Sequence, residues 1–364
     1  MADRSSPPDA PTWRVGPTRR SADGSELRLG IDGEEVVVRA PGHQLHDVAE
    51  AWATLLAIPA ARTGHAVALP APVDPTWLAG AQANVAQAAA WWGGDAELSL
   101  RTPRPRRWRR DRPTAPAAGR ALCFTAGVDS FYSLLAGDHR PTHLLFVHGY
   151  DLPLDDLDRR AAASRAVREV AAARGLVPLE VETNLRHHHA FAQASWEHTH
   201  GAALVCIALL LGADVGTVVI PPSYATSRLI PWGSHPDLDQ RWSVPGRLAV
   251  EHGDAGPFRR ERLRMVAADP LVHEHLRVCW AHLRPGTNCG RCEKCVRTMV
   301  DLEYLGQLDA VATFPRDVDL PDLIDAMPQL PASIVPMWSD LGNLPIRPEV
   351  TGAIDRLLER TAAG

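Results

Sequence analysis

Lysine is almost missing from this chain. Of 38 lysine and arginine side chains, only Lys294 is a lysine. That scarcity excludes a Walker-type nucleotide loop, which needs a lysine directly after its last glycine. Apolar runs of the length a bilayer demands, about 18 residues, are also missing, so no membrane span is expected. Residues 1–12 are polar and Pro-rich and lack the apolar stretch of a secretion signal. They read as a disordered lead-in, and the expected location is cytoplasmic. The net charge of −5 exerts no global pull toward nucleic acid, which is therefore not an expected partner. With six cysteines in 364 residues, a disulfide scaffold is the weaker reading of the thiols.

The composition that remains is ordinary globular content, 45% hydrophobic and 22% charged, in a chain long enough for one large core and a smaller domain. Residues 13–100 read as a small N-terminal α/β domain. Positions 26–38 alternate like a hairpin around Asp32-Gly33, and helical stretches follow at 48–61 and 78–92. A basic, Pro-rich linker is expected at 101–118: between Arg101 and Arg120 lie eight arginines, four prolines and Trp108, which cannot bury a core. Contact of this segment with RNA is the rarer reading.

From 119 to 306 strand-like runs at 121–124, 144–147, 179–182, 215–220 and 248–251 alternate with helical spacing. This pattern predicts an α/β, doubly wound, mainly parallel sheet. Residues 307–364 read as a C-terminal helical extension.

The first strand of that series empties into Thr125-Ala126-Gly127-Val128-Asp129-Ser130, followed at once by an amphipathic helix. Small residues at a helix N-terminus let backbone amides approach phosphate oxygens, with the helix dipole behind them. The hydroxyls of Thr125 and Ser130 add donors. The competing reading is an ordinary strand–turn–helix turned by Gly127 and capped by Asp129 and Ser130.

About 150 residues on, Cys279, Cys289, Cys292 and Cys295 form C-x9-C-x2-C-x2-C within seventeen residues. Tetrahedral zinc takes four thiolates, and a turn carrying Gly286, Asn288 and Gly290 can bend three of them round one ion. An iron–sulfur cluster is the alternative, disfavoured because no proline follows the last cysteine. Cys123 and Cys206 fall in apolar elements and read as buried small hydrophobes. The run His187-His188-His189 is not read as a metal site, because adjacent histidines point in different directions on any regular element.

Together, T-A-G-V-D-S and C-G-R-C-E-K-C resemble the PP-loop ATP pyrophosphatases, and within them the 7-cyano-7-deazaguanine synthase-like proteins of queuosine synthesis. The resemblance spans roughly 119–306. Ala126 departs from the family's first loop glycine, where the backbone requires care if φ is positive. The resemblance implies a PP-loop (HUP-like) fold with a structural zinc, ATP and Mg2+ as cofactors, and adenylation of a carboxylate or amide oxygen. Pyrophosphate is released and the activated group passes to ammonia or an amine. It also implies that Thr125, Ala126, Gly127, Asp129 and Ser130 hold the phosphates, with Asp129 and Ser130 in catalytic roles, and that the strand end at Val147 and His148 meets adenine. A tRNA-modifying PP-loop sulfurtransferase and a non-catalytic zinc-containing binding module with a degenerate loop are the alternatives.

Two further regions are candidates. The irregular stretch 221–242 carries Ser223, Tyr224, Arg228, Trp232, His235, Asp237 and Asp239 and reads as the substrate loop, or else as a self-packed Ω-loop. Arg259 and Arg262, at a helix start, are placed to neutralise departing pyrophosphate. The expected partner is a small acid or amide acceptor, such as a deazapurine, or a protein terminus; a homodimer is compatible with the sequence.

Overall fold

The computed structural model describes residues 10–103, 116–283 and 285–363. Most of the expected lead-in and linker lies outside the described residues.

Among the described residues eleven strands form two sheets. In chain order they are β1 (Thr12–Arg14), β2 (Arg19–Arg20), β3 (Glu26–Ile31), β4 (Glu34–Arg39), β5 (Ala66–Ala68), β6 (Leu100–Arg101), β7 (Gly119–Cys123), β8 (His143–His148), β9 (Val177–Thr183), β10 (Val215–Ile220) and β11 (Ala249–His252). The small sheet is parallel, in the order β1-β5-β6. The large mixed sheet runs β11-β10-β7-β8-β9-β4-β3-β2. Its β11 to β9 portion is entirely parallel, and β4 joins antiparallel to β9 through Val38 opposite Thr183. Along the parallel strands the order reverses between β7 and β10: chain growth proceeds outward from β7 through β8 to β9, then returns to β10 and β11.

Alternation along the strands feeds two cores. Ala121, Cys123, Leu145 and Val147 face one apolar cluster, while Leu122, Phe124, Leu144 and Phe146 face the other. This is the period-two consequence of a sheet covered on both faces. The first face is covered by α1 (Ala49–Thr63) and α2 (Pro75–Trp92), and later in the chain by α6 (Trp196–Leu210), whose Ala202 to Leu210 stretch contributes to the same cluster. Helix α1 is buried continuously from Ala49 to Ala61, as its nearly unbroken apolar sequence demands, and stops at Gly64 in the left-handed conformation, φ 68°.

The opposite face carries α3 (Val128–Leu135) and α4 (Leu157–Arg174), then α8 (Arg259–Val266), α9 (Pro270–His275) and α10 (Glu293–Tyr304). The short helices α5 (His189–Ala192) and α7 (Pro236–Asp239) belong to the first face, α5 against α1 and α6 and α7 against α2. The C-terminal helices α11 (Leu320–Asp325), α12 (Val335–Gly342) and α13 (Pro348–Ala362) supply Ile324, Trp338 and Ile354 to the second core.

Both ends of the chain share these cores. Residues 13–100 do not form a core of their own: their hairpin extends the large sheet, and Trp13, Trp52 and Trp77 share a cluster with Ala121 and Val218. Residues 307–364 are likewise part of the core that holds the four clustered cysteines. Among the described residues, no helix is long and apolar enough to cross a membrane.

Candidate active site and cysteine cluster

A cavity of about 710 Å³ opens at the C-terminal ends of β7, β8 and β10. It sits where the strand order reverses, the place at which open α/β sheets leave a crevice between diverging connections. Thr125, Gly127, Val128, Asp129 and Ser130 form part of its wall, together with Val147, Ser223, Trp232 and Arg259.

The loop has the shape its residues allow and one they resist. Ala126 lies at φ +56°, in the left-handed region, with its side chain almost fully buried in the second core. A Cβ in that region costs about 1–2 kcal/mol, so an alanine holds the conformation a glycine would take freely. Its carbonyl accepts from the backbone N–H of Arg277 at 2.8 Å. Gly127, with φ −79°, caps α3 without any side-chain cap bond. The first-turn amides of α3 therefore have no competing side-chain acceptor at the cap. Ser130 lines the wall, but its hydroxyl donates to the Gly127 carbonyl at 3.0 Å.

Asp129 is held by Arg262, whose Nη1 donates to Oδ1 at 2.8 Å. That guanidinium is fully buried and also donates to the carbonyls of Pro222 at 2.6 Å and Tyr224 at 3.0 Å. Arg262 thus fastens the 221–224 segment to the 125–130 loop instead of facing the cavity. Arg259 does face it. Its Nη2 donates to Thr298 Oγ1 at 3.2 Å, while Nε and Nη1 are buried without an acceptor. Burial above all, then Arg297, pushes its guanidinium below the usual arginine range.

Several expected residues are not brought to this cavity. His148 points to the α4 face, where its Nε2 lies 3.0 Å from Glu180, because β8 alternates and Val147 takes the cavity side. Tyr224 packs edge-on against Trp232, and its own ring is outside the wall. Arg228 reaches Asp340 at 3.3 Å on the surface. His235 caps α7 by accepting from the Asp237 amide at 3.0 Å, and Asp237 is largely exposed. Asp239 is fully buried, accepting from Ser234 Oγ at 2.8 Å and contacting His252 Nδ1 at 2.7 Å. This half of the 221–242 stretch packs against α2, whose Asn84 Nδ2 donates to the Leu238 carbonyl at 3.0 Å and whose Trp91 ring lies edge-on to His235.

Other side chains take their place. Tyr150, Arg186, Trp196, Glu197, His200 and Ser234 line the far end, and Arg277 and Lys294 the near end. Arg186 lies over the Trp196 ring at 4.7 Å, and Arg277 Nε donates to the Thr125 carbonyl at 3.1 Å. Burial pushes Lys294 below the usual lysine range, with Arg259 adding repulsion. For most of these there is no motif to read. Lys294 had a signal, being the sole lysine in a chain whose cations are otherwise arginine.

The four clustered cysteines are all buried, and their Sγ atoms lie within 4.8 Å of one another. Cys289 and Cys295 are 3.9 Å apart at sulfur. Backbone amides of Cys292 and His282 donate to Cys289 and Cys279 Sγ, each at 3.3 Å, as suits thiolates. Gly290 makes the bend at φ +65°, and a Cβ there would meet the Pro315 ring at 2.4 Å. Asn288 braces the turn, its Oδ1 accepting from the amides of Val278 and Cys279 at 2.8 and 3.1 Å. Four close sulfurs with amide donors fit a metal ion such as zinc. Of the remaining thiols, burial, with a smaller contribution from Asp239, pushes Cys123 up to about 12, and burial also raises Cys206.

Of the histidine run, His188 has both ring nitrogens engaged, Nδ1 by the Ala190 amide and Nε2 by the Ile31 carbonyl at 2.9 Å. Against the expectation that adjacent histidines diverge, the His188 and His189 rings lie with their centroids 4.3 Å apart and gather with Glu34, their ligand atoms within 4.8 Å of one another, a second group with the spacing of metal ligands. No protein-family model matches this chain, and no curated protein or solved structure matches it at a significant level.

Proposed function

We propose that this protein is an ATP-dependent adenylating enzyme of the PP-loop pyrophosphatase type, built on a doubly wound sheet. The observation that carries the reading is the meeting of Thr125–Ser130 with the strand-order reversal, in one cavity whose wall holds Arg259 with its Nε and Nη1 buried and without an acceptor. The loop amides would receive the β- and γ-phosphates, and Asp129, oriented by Arg262, would hold Mg2+. Adenine would meet the strand end at Phe146 and Val147.

An acceptor oxygen, from a carboxylate or amide, attacks the α-phosphorus. The bond from that phosphorus to the bridging oxygen breaks, and pyrophosphate departs with its charge balanced by Arg259. Ammonia or an amine then attacks the activated carbon and AMP leaves. The far end of the cavity, walled by Trp196, His200 and Trp232, would take the acceptor, a small planar acid or amide or a protein terminus. Zinc at the four cysteines would be structural, holding the 277–295 segment against the cavity.

A sulfur-transferring chemistry is disfavoured, because Cys123 is the one thiol on the wall outside the cluster and its pKa is far too high for a nucleophile at neutral pH. A decayed loop is disfavoured by Ala126, which retains the glycine-like conformation at a cost. The test is incubation with α-labelled ATP and candidate acids. AMP and pyrophosphate are expected, with loss of both in Asp129→Asn; accumulation of ADP and orthophosphate would overturn the reading.

A further inference from the structure

Five cations gather where α8 faces the start of α10. Three are neutralised by carboxylates: Arg260 by Asp301 at 2.7 Å, Arg262 by Asp129 at 2.8 Å and Arg297 by Glu293 at 2.6 Å. Arg259 and Lys294 have no carboxylate partner among the described residues, and these are the two that line the cavity. Pairing is therefore the rule in this patch and its absence is confined to the cavity wall.

Leaving two cations unpaired side by side, one with Nε and Nη1 buried and without acceptors, costs both desolvation and repulsion. A chain with 43 acidic residues against 38 basic ones has no shortage of partners to supply. The cost is recovered when an anion binds between them. The same wall presents the uncapped N-terminus of α3, so three sources of positive potential converge on one space. A single carboxylate would satisfy one of these. A chain of linked phosphates has the charge and the extension to satisfy all three.

We infer that Lys294 and Arg259 form a polyphosphate clamp opposite the α3 N-terminus, the lysine being delivered into the cavity by the same turn that carries Cys292 and Cys295. The inference deepens the nucleotide reading above and rests on its cavity, but it concerns the phosphate chain alone. The cysteine motif then has two outputs: its sulfurs fix the turn and its one intervening lysine contacts ligand.

The test is calorimetric titration of the full-length, metal-loaded protein with inorganic pyrophosphate in Mg2+ buffer, with no nucleotide present. Lys294→Met and Arg259→Gln should each weaken pyrophosphate binding at least tenfold, with the metal content of Lys294→Met unchanged by elemental analysis. If Lys294→Met loses metal, Arg259→Gln, on a different helix, decides. Unchanged pyrophosphate affinity in that variant, or no pyrophosphate binding by the parent protein, would overturn the clamp. Parallel titrations with ATP separate this from the adenylation reading. Pyrophosphate binding that depends on both cations in a protein that never yields AMP supports the clamp and refutes adenylation. AMP formation with pyrophosphate affinity indifferent to both substitutions does the reverse.

Discussion

At Ala126 the backbone pays about 1–2 kcal/mol for φ +56°, and the methyl that causes the strain is also buried in the second core. Replacement by glycine relieves the first term but gives up about 0.8 kcal/mol of burial and about 0.5–1 kcal/mol of chain entropy. Ala126→Gly should therefore leave stability within about 1 kcal/mol of the parent, measured by urea denaturation. Ala126→Val, β-branched in the left-handed region, should lose several times more. Equal stability of the two variants would refute the strained loop. Arg262 and Arg259 make a second contrast. Arg262→Gln strips a buried cation from Asp129 and two carbonyls and should cost about 3–5 kcal/mol. Arg259→Gln removes a cation that has no ion pair and should cost far less. The two arginines sit three residues apart in sequence, and no pattern separates the fastener from the cavity residue. Only the tertiary partners of each do so.

At the scale of elements, the five parallel strands and the helices between them were legible because their apolar spacing is long and regular. Asp156 and Ser195 cap α4 and α6, their side chains accepting from the amides of Arg159 and Glu197. The cysteine turn was legible from spacing alone. It predicts about one metal ion per chain, and Cys292→Ser should release it and loosen the 277–295 segment, read as faster hydrogen exchange there while β7 to β10 stay protected. Full metal content in that variant would exclude Cys292 as a ligand. The α4–β9 seam predicts an acid response. Burial tends to raise the Glu180 carboxyl, but hydrogen bonds from His148, Ser164 and Arg168 hold it down at about 2, against 4.5 in the unfolded chain. A carboxylate depressed by folding gives its full stabilisation above pH 4.5 and loses it as pH falls toward 2. Glu180→Gln should accordingly flatten the loss of stability across that window, and an identical acid profile would show that the seam contributes nothing.

On the scale of the whole molecule, the reading of 13–100 as a separate domain is the clearest divergence from what was built. Local signals for the 26–38 hairpin and for helices at 48–61 and 78–92 are accurate, yet nothing local says that β4 will pair with β9 across more than a hundred residues. Two hydrogen-bonded registers, Val38 with Thr183 and Arg39 with Glu182, make that seam, and Asn184 secures it by accepting from the Val37 amide at 2.9 Å and donating to the Glu35 carbonyl at 2.8 Å. Behind it, α1 lies against α6, so Trp52 and Leu55 share one core with Cys206 and Leu209. Cutting the chain before β7 would bare the β9 edge and the apolar face of α6 together. An exposed strand edge beside an uncovered apolar face is a template for aggregation. A chain of residues 119–364 should therefore be recovered as aggregate, or as a loose state with far-UV but little near-UV circular dichroism, and should bind neither ATP nor pyrophosphate. Co-expression with residues 1–103 as a separate chain should restore a soluble complex, because the missing layer is supplied in trans. A monomeric, cooperatively unfolding 119–364 fragment would mean that the sheet closes without its N-terminal hairpin and that two domains, not one shared core, organise this protein.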